Sequence, residues 1–494
     1  MFCVVVCLLF PLNITLGSSC INAFDYNDNC RTIYKLIMEL RFNEAKKKII
    51  EEKSAQPNNA LVILYDDYID ALSVVIDENK TALQTKVKNK KMHLDALENA
   101  DKTSPYYLLC KAEIELHWAA ARLKLDELPT AAKELRTAYL FLKENKKKFP
   151  DFKPNNKTLA LLQTLLGTVP EKYRWMTDLL GMPGDVVVGM KNLKLYLDYA
   201  QLTGEPFFEE TNLLYQFLLL YIKNDKKQAY QAVEAYRLPY KSSLLAAFFA
   251  ADIALRSHHT DKALEILKAA PMSEAFYPMP ILYLLRANAM LYKNDTAAKI
   301  YYLKFISQYK GLHYIKEAYL RLAWCYLLEG DSAQYQVYTK KCLEKGSTLM
   351  DADKQAYKEA QIATAPHISL LTARLYCDGG YYSKAQIALN KLRAADMSTL
   401  MQKTERLYRQ GRLFQLTNLN DLAILKYKEC TSVGVGCECY YPAKSYLEMG
   451  SIYEKIIKDK SKASECYKQV MSIKNHSYKD SFDQQAKAGI ARVK

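Results

Sequence analysis

One spacing rule constrains this chain more than any other. In "RLYRQGRLFQLTNLNDLAILKYKEC", residues 406–430, Gly411 is followed three positions on by Phe414, twelve on by Ala423, and four beyond that by Tyr427. Ala373, Tyr376, Ala385 and Leu389 repeat the same offsets, and Gly450, Tyr453, Ala463 and Tyr467 repeat them with one extra residue in the turn. A lone amphipathic helix has no use for such offsets, because any apolar residue on the buried stripe serves. Two small residues facing each other across a turn let two antiparallel helices approach closely. Looser copies stand upstream at Ala251, Ala254, Ala263 and Leu267, and at Ala287, Met290, Ala298 and Tyr302. Tyr319, Leu322, Ala323 and Tyr326 match a first helix, and Phe42, Ala45 and Ile49 a second. The pattern predicts stacked helix-turn-helix repeats, with the aromatics filling space between one hairpin and the next. All these are read as packing positions. On that reading a large residue at Ala423 breaks its hairpin and Gly411→Ala is mild.

The second-helix alanines Ala385, Ala423 and Ala463 stand 38 and 40 residues apart. Grid and period together resemble the tetratricopeptide repeat, a resemblance that implies an all-α, right-handed superhelical array with a concave binding face. Composition agrees: 494 residues carry only 16 Gly and 15 Pro, with half the chain apolar, which favours helix and supplies a core. The expected organisation is a signal segment at 1–19, an N-terminal helical domain at 20–205 and the repeat array at 206–494. Between residues 104 and 195 the grid fades. Two long helices are read in "SPYYLLCKAEIELHWAAARLKLDELPTAAKELRTAYLFLKEN", followed by "TLLGTVPEKYRWMTDLLGMPGDVVVGMKNL", where Thr168 is expected to cap one helix and Gly184-Asp185 to open another. These stretches resemble the eukaryotic tetratricopeptide-repeat-39 family and its outer-membrane-associated fungal relatives, which implies a helical repeat protein and supplies no catalytic residues.

The first residues, "MFCVVVCLLFPLNITLGSSC", read as a secretory signal: an apolar run from Phe2 to Phe10, then small residues. Export to the periplasm or outer membrane is the expectation, with an intracellular protein as the alternative. Cys20 is a candidate lipidation site, although Gly17 stands where a lipoprotein signal has Leu. Cys110, Cys325, Cys342, Cys377 and Cys466 sit singly in apolar helical stretches and are expected to be buried thiols. "CTSVGVGCECYY" clusters Cys430, Cys437 and Cys439 without a fourth ligand, so no metal site is expected there. If the protein is exported, a disulfide from Cys430 or Cys466 to this pair stays open.

The formal net charge is +15, but lysine runs such as Lys46-Lys47-Lys48 are scattered along helices. Nucleic-acid binders gather such charge on one face, so nucleic acid is not an expected partner, and a membrane only through a lipid anchor. His258-His259 are placed in a solvated turn. Phosphate-binding, dinucleotide, zinc-protease and hydrolase-elbow motifs are absent from the sequence. No catalytic residue and no cofactor are therefore expected. In a stacked array the position just after each first-helix small residue faces the concave side. Along the chain that position is filled by Asp252, Asn288, Trp324, Arg374, Arg412 and Ser451, flanked by Tyr408 and Glu454. These are the candidate binding residues for a protein or peptide ligand. The expected function is a non-enzymatic scaffold in the cell envelope. The alternatives are an exported α/α-helical carbohydrate-active enzyme, which would need paired carboxylates, and a lipid-surface adaptor.

Overall fold

A computed structural model describes residues 23–169, 181 and 184–494. The signal segment and Cys20 lie outside the described residues, as does most of the helix expected between Thr168 and Gly181. Helix α1 (Asp28–Glu39) pairs with α2 (Phe42–Ala55), α3 (Leu61–Asp77) with α4 (Lys80–Leu97), α5 (Pro105–Lys124) with α6 (Leu128–Lys148), and α7 (Pro154–Leu166) with α8 (Val186–Thr203). The array continues with α9 (Phe208–Tyr221) and α10 (Lys226–Ala235), α11 (Leu244–Arg256) and α12 (Thr260–Ala269), and α13 (Ile281–Tyr292) and α14 (Ala298–Gln308). Next come α15 (Ile315–Leu328) and α16 (Ser332–Glu344), a single helix α17 (Asp351–Ala360) packed on both, and the pair α18 (Ile368–Gly379) and α19 (Tyr382–Asn390). The last hairpins are α20 (Leu400–Leu416) with α21 (Asn420–Val433) and α22 (Tyr441–Ile452) with α23 (Lys460–Ser472); α24 (Lys479–Val493) packs on that final pair. Among the described residues the only β pairing is one isolated bridge between Ala23 and Asn59. The protein is an all-α helical-repeat array.

Local sequence starts these helices. Asn79, Ser104, Asp185, Asp225, Ser243, Asp331, Thr399 and Asp459 each accept a backbone N–H of the first turn, satisfying a donor the helix leaves orphaned. Asp185 does so where the corner motif places it. At that corner the two backbones nearly touch: a Cβ on Gly184 would lie 2.3 Å from the Leu166 carbonyl carbon. Leu166-Gly167 and Gly184-Asp185 are thus the two sides of one close crossing.

The grid positions are packed as read. Ala251, Ala263, Ala287, Ala298, Ala373, Ala385, Ala423 and Ala463 are all fully buried, as is Ala45 near the start. The role of the aromatics differs from the expectation. Tyr427 of α21 lies across Gly411 of its own hairpin, where a Cβ would sit 2.7 Å from two ring carbons, and Tyr467 lies on Gly450 at 2.6 Å. The second-helix ring therefore fills the gap inside the hairpin, and the missing side chain at 411 is a socket. The two hydroxyls then reach the first helix one turn beyond the socket: Tyr427 donates to Gln415 at 2.7 Å and Tyr467 to Glu454 at 2.6 Å.

The layers are also tied across long stretches of chain. One continuous apolar cluster runs from Cys30 to Ala289. Ser243 donates to the Met38 carbonyl at 2.7 Å, the Tyr277 amide to the Leu40 carbonyl at 2.7 Å, and the Tyr277 hydroxyl to Asp77 at 2.6 Å. Seven cysteines, Cys30, Cys110, Cys325, Cys342, Cys377, Cys430 and Cys466, are free and buried. Cys437 is bonded to Cys439; neither Cys430 nor Cys466 joins the pair, because each packs inside its own hairpin.

Two outcomes follow from this packing. Gly411→Ala gains helix propensity of about 0.5–1 kcal/mol but forces the buried Tyr427 ring aside, an overpacking cost of about 1–3 kcal/mol. A lower urea midpoint than wild type is therefore expected, in place of the mild effect the pattern alone suggests; an unchanged or raised midpoint contradicts the socket. In thiol labelling, Cys325 and Cys377 should react only after denaturant is added. Ready labelling in the native state would show that α15 and α18 are not packed in this way.

Candidate binding cavity

A cavity of about 540 Å³ opens on the inner side of the array, lined from α10, α11, α13, α15, α17, α18, α20, α22 and α24. Of the eight candidate binding residues, four meet there: Trp324, Arg374, Tyr408 and Arg412. The other four do not line it. Asp252 is buried behind α11, where its carboxylate accepts from Arg256 Nε at 2.9 Å and from the Tyr221 hydroxyl. Asn288 is buried inside its hairpin and accepts from Tyr302 at 2.7 Å. Ser451 and Glu454 lie on the last hairpin, away from the cavity; Glu454 is covered by α24 and accepts from Arg492 Nε at 2.6 Å. The inward-facing rule thus holds for the middle hairpins and fails at the two ends of the cavity.

Arg374 is the anchor of one wall. Its guanidinium makes two hydrogen bonds to the Glu359 carboxylate, at 2.8 and 3.0 Å, and lies 4.9 Å over the Trp324 ring. Burial alone would raise the Glu359 carboxyl, but Arg374 more than reverses this and holds it below its usual range. The pair joins α17 to α18. Replacing Arg374 by Glu would leave two carboxylates face to face and break the tie between α17 and α18, so a charge reversal there disturbs the fold as well as the cavity. Glu359 itself escaped the sequence reading, because α17 stands outside the hairpin grid.

The remaining arginines of the wall are also tethered. Arg321 lies 2.8 Å from Glu317, and Arg409 lies 2.8 Å from Glu405. Arg412 donates to Gln415 at 3.0 Å and stands 3.7 Å from Glu448, which Lys444 also approaches at 3.0 Å. Burial pushes Glu448 up, yet Lys444, Arg412 and the Gln415 amide outweigh it and hold the carboxyl at about 2. His258 lines the cavity with Nδ1 2.9 Å from the Asp378 carbonyl, and burial lowers its pKa. His259 stacks on Tyr230 at 3.8 Å. His259 is exposed in the turn, as expected from sequence, whereas His258 is partly buried at the cavity wall.

One cluster among the described residues has the donors for a metal ion: Glu113, His117 and Glu210 bring ligand atoms within 4.8 Å of one another. Asp67 lies 2.8 Å from His117 Nδ1 and accepts from the Trp118 indole at 2.8 Å. An ammonium already serves this cluster. Lys157 Nζ donates to Glu113 at 3.0 Å and to Glu210 at 2.7 Å while itself fully buried. The cluster is a closed polar tie between α3, α5, α7 and α9. Its only local sequence signal is Glu113 and His117 four apart on one helix face.

With hairpin packing and inner cavity established, the chain is a helical-hairpin repeat protein. No family model matches it, and no curated protein matches it. Among solved structures, the crystal structure of the yeast Tom70 is similar to it at 13% identity, covering 94% of this chain and 95% of that one, with a TM-score of 0.23. That superposition is too low to say anything of site or partner.

The ion pairs set a pH signature. A carboxyl held at about 2 in the fold, against about 4.3 in an unfolded chain, adds stability that is present above the unfolded value and is lost as pH falls toward the folded one. Glu448→Gln should therefore be less stable than wild type at neutral pH, with the gap in urea midpoint closing as pH drops from about 5 to about 3. A gap independent of pH would mean that Glu448 makes no favourable ionic contact.

Proposed function

We propose that the protein is a non-enzymatic scaffold whose inner cavity holds a segment of a partner protein. The observation that carries this reading is the convergence of Trp324, Arg374, Tyr408 and Arg412, from three separate helices, on one cavity of about 540 Å³. Aromatic and arginine side chains set in a concave, partly desolvated surface are the residue types that dominate protein interfaces. The carboxylates that line it favour a scaffold over a hydrolase: Glu317 and Glu359 are each committed to an arginine and Asp378 lies 3.8 Å from Arg374, which leaves none of them disposed as a general acid. Scattered surface lysines and the lack of any described helix long and apolar enough to cross a membrane add no support for a lipid-surface role. Location in the cell envelope, with Cys20 as a lipid attachment point, is part of the same proposal and rests on the apolar run and small residues of the first twenty positions. N-terminal sequencing of the native protein tests that part, and a retained Met1 would remove it.

A plug tests the cavity. Ala352 lines it from α17, is only partly buried and makes no side-chain hydrogen bond, so Ala352→Trp fills space with little disturbance of the ion pairs. Capture of the partner from native extract should fall at least about tenfold with this variant, while Lys46→Glu/Lys47→Glu, on the exposed face of α2, leaves capture unaltered. Equal capture by the plugged and wild-type chains would move the binding surface elsewhere.

A further inference from the structure

Every arginine that lines the cavity has a carboxylate partner on the chain, and Lys444 has Glu448. Lys226 has none. It is the first residue of α10, partly buried at the cavity wall, with no ion pair and no side-chain hydrogen bond. Its backbone is pinned there: the Lys226 carbonyl accepts from Ser257 at 3.0 Å, and Asp225 caps the helix just before it. Two cations and two carboxylates act on it. The Arg256 and Arg412 guanidiniums repel it, Asp378 and Glu448 attract it more weakly, and burial together with those arginines lowers its pKa.

Three separate costs therefore fall on this ammonium. It is partly withdrawn from water without a counter-ion, it faces two cations across the cavity, and it stands at the positive end of a helix dipole, where an anion is preferred. Asp378 and Glu448 offset these costs only in part. We infer that Lys226, flanked by Arg256 and Arg412, is an anion-binding subsite of the cavity, taking a carboxylate or phosphate group of whatever occupies it. The inference rests on the cavity being the binding site. It adds the chemistry of the ligand at one end: an anionic oxygen group meeting three converging cations, two of them already oriented by Asp252 and Gln415.

An unpaired cation of this kind is destabilising in the empty protein and favourable only when occupied, and those two effects separate in one variant. Lys226→Gln should raise the melting temperature of the full chain, or leave it unchanged, while weakening anion binding roughly tenfold or more. The probes are a fluorescein-labelled ten-residue polyglutamate peptide, read by polarisation, and inorganic pyrophosphate, read by calorimetry. Lys226-dependent binding of the peptide assigns a carboxylate, and Lys226-dependent binding of pyrophosphate alone assigns a phosphate. Binding that weakens equally in the Lys46→Glu/Lys47→Glu variant overturns the inference in favour of diffuse basicity, and so does Lys226→Gln that binds as wild type or melts lower. If Ala352→Trp abolishes partner capture but Lys226→Gln alters neither probe, the cavity reading stands and the subsite falls. If both variants behave as wild type, both readings fall.

Discussion

The architecture depends on how near two helices of a hairpin can come. At Gly411 and Gly450 the first helix has no side chain, and a tyrosine ring from the second helix occupies the space. The ring is large, flat and stiff, so it sets the helix separation more firmly than a pair of aliphatic side chains would. Its hydroxyl then binds a polar residue one turn further along the first helix. That second contact fixes rotation as well as distance. At Gly411 this orientation sets Arg412, just beyond the socket, on the cavity wall, whereas Ser451 beyond Gly450 lies off it.

This explains which parts of the molecule could be read from the sequence. The grid was legible because its partners lie within one hairpin, about a dozen residues apart, and small or aromatic residues are uncommon enough to stand out. Trp324, Arg374 and Arg412 followed from it by position alone. What sits opposite them did not. Glu359 lies fifteen residues before Arg374 on a helix outside the grid, and Glu448 meets Arg412 from the next hairpin. At the ends the rule lapsed for a local reason: α24 covers Glu454 through Arg492, and Tyr221 with Arg256 closes over Asp252. Aromatic placement inside rather than between hairpins was also hidden, since a spacing records that two residues meet but not which gap they fill.

The polar interior divides into two kinds of site. The tie around Lys157 is mostly saturated: its ammonium, two glutamates, Thr158 and Tyr68 bond one another, with His117 Nε2 left without a hydrogen bond beside them, and such a network favours one arrangement of its helices. The cavity wall is mostly saturated too, with arginines held by carboxylates before any ligand arrives. Preorganised guanidiniums lose little freedom on meeting a partner, which is how a modest surface gains affinity.

A linear solenoid can fold hairpin by hairpin as it leaves the ribosome, each new unit docking on the last. This chain is not free to finish in that order. The carbonyls that end α1, at Met38 and Leu40, receive their hydrogen bonds from Ser243 and Tyr277, and Asp77 waits for the same tyrosine. The first hairpin is therefore translated some 205 residues ahead of the group that seals it. For that interval its end stays unsealed, and the early half of the protein matures only when the middle of the message has been read.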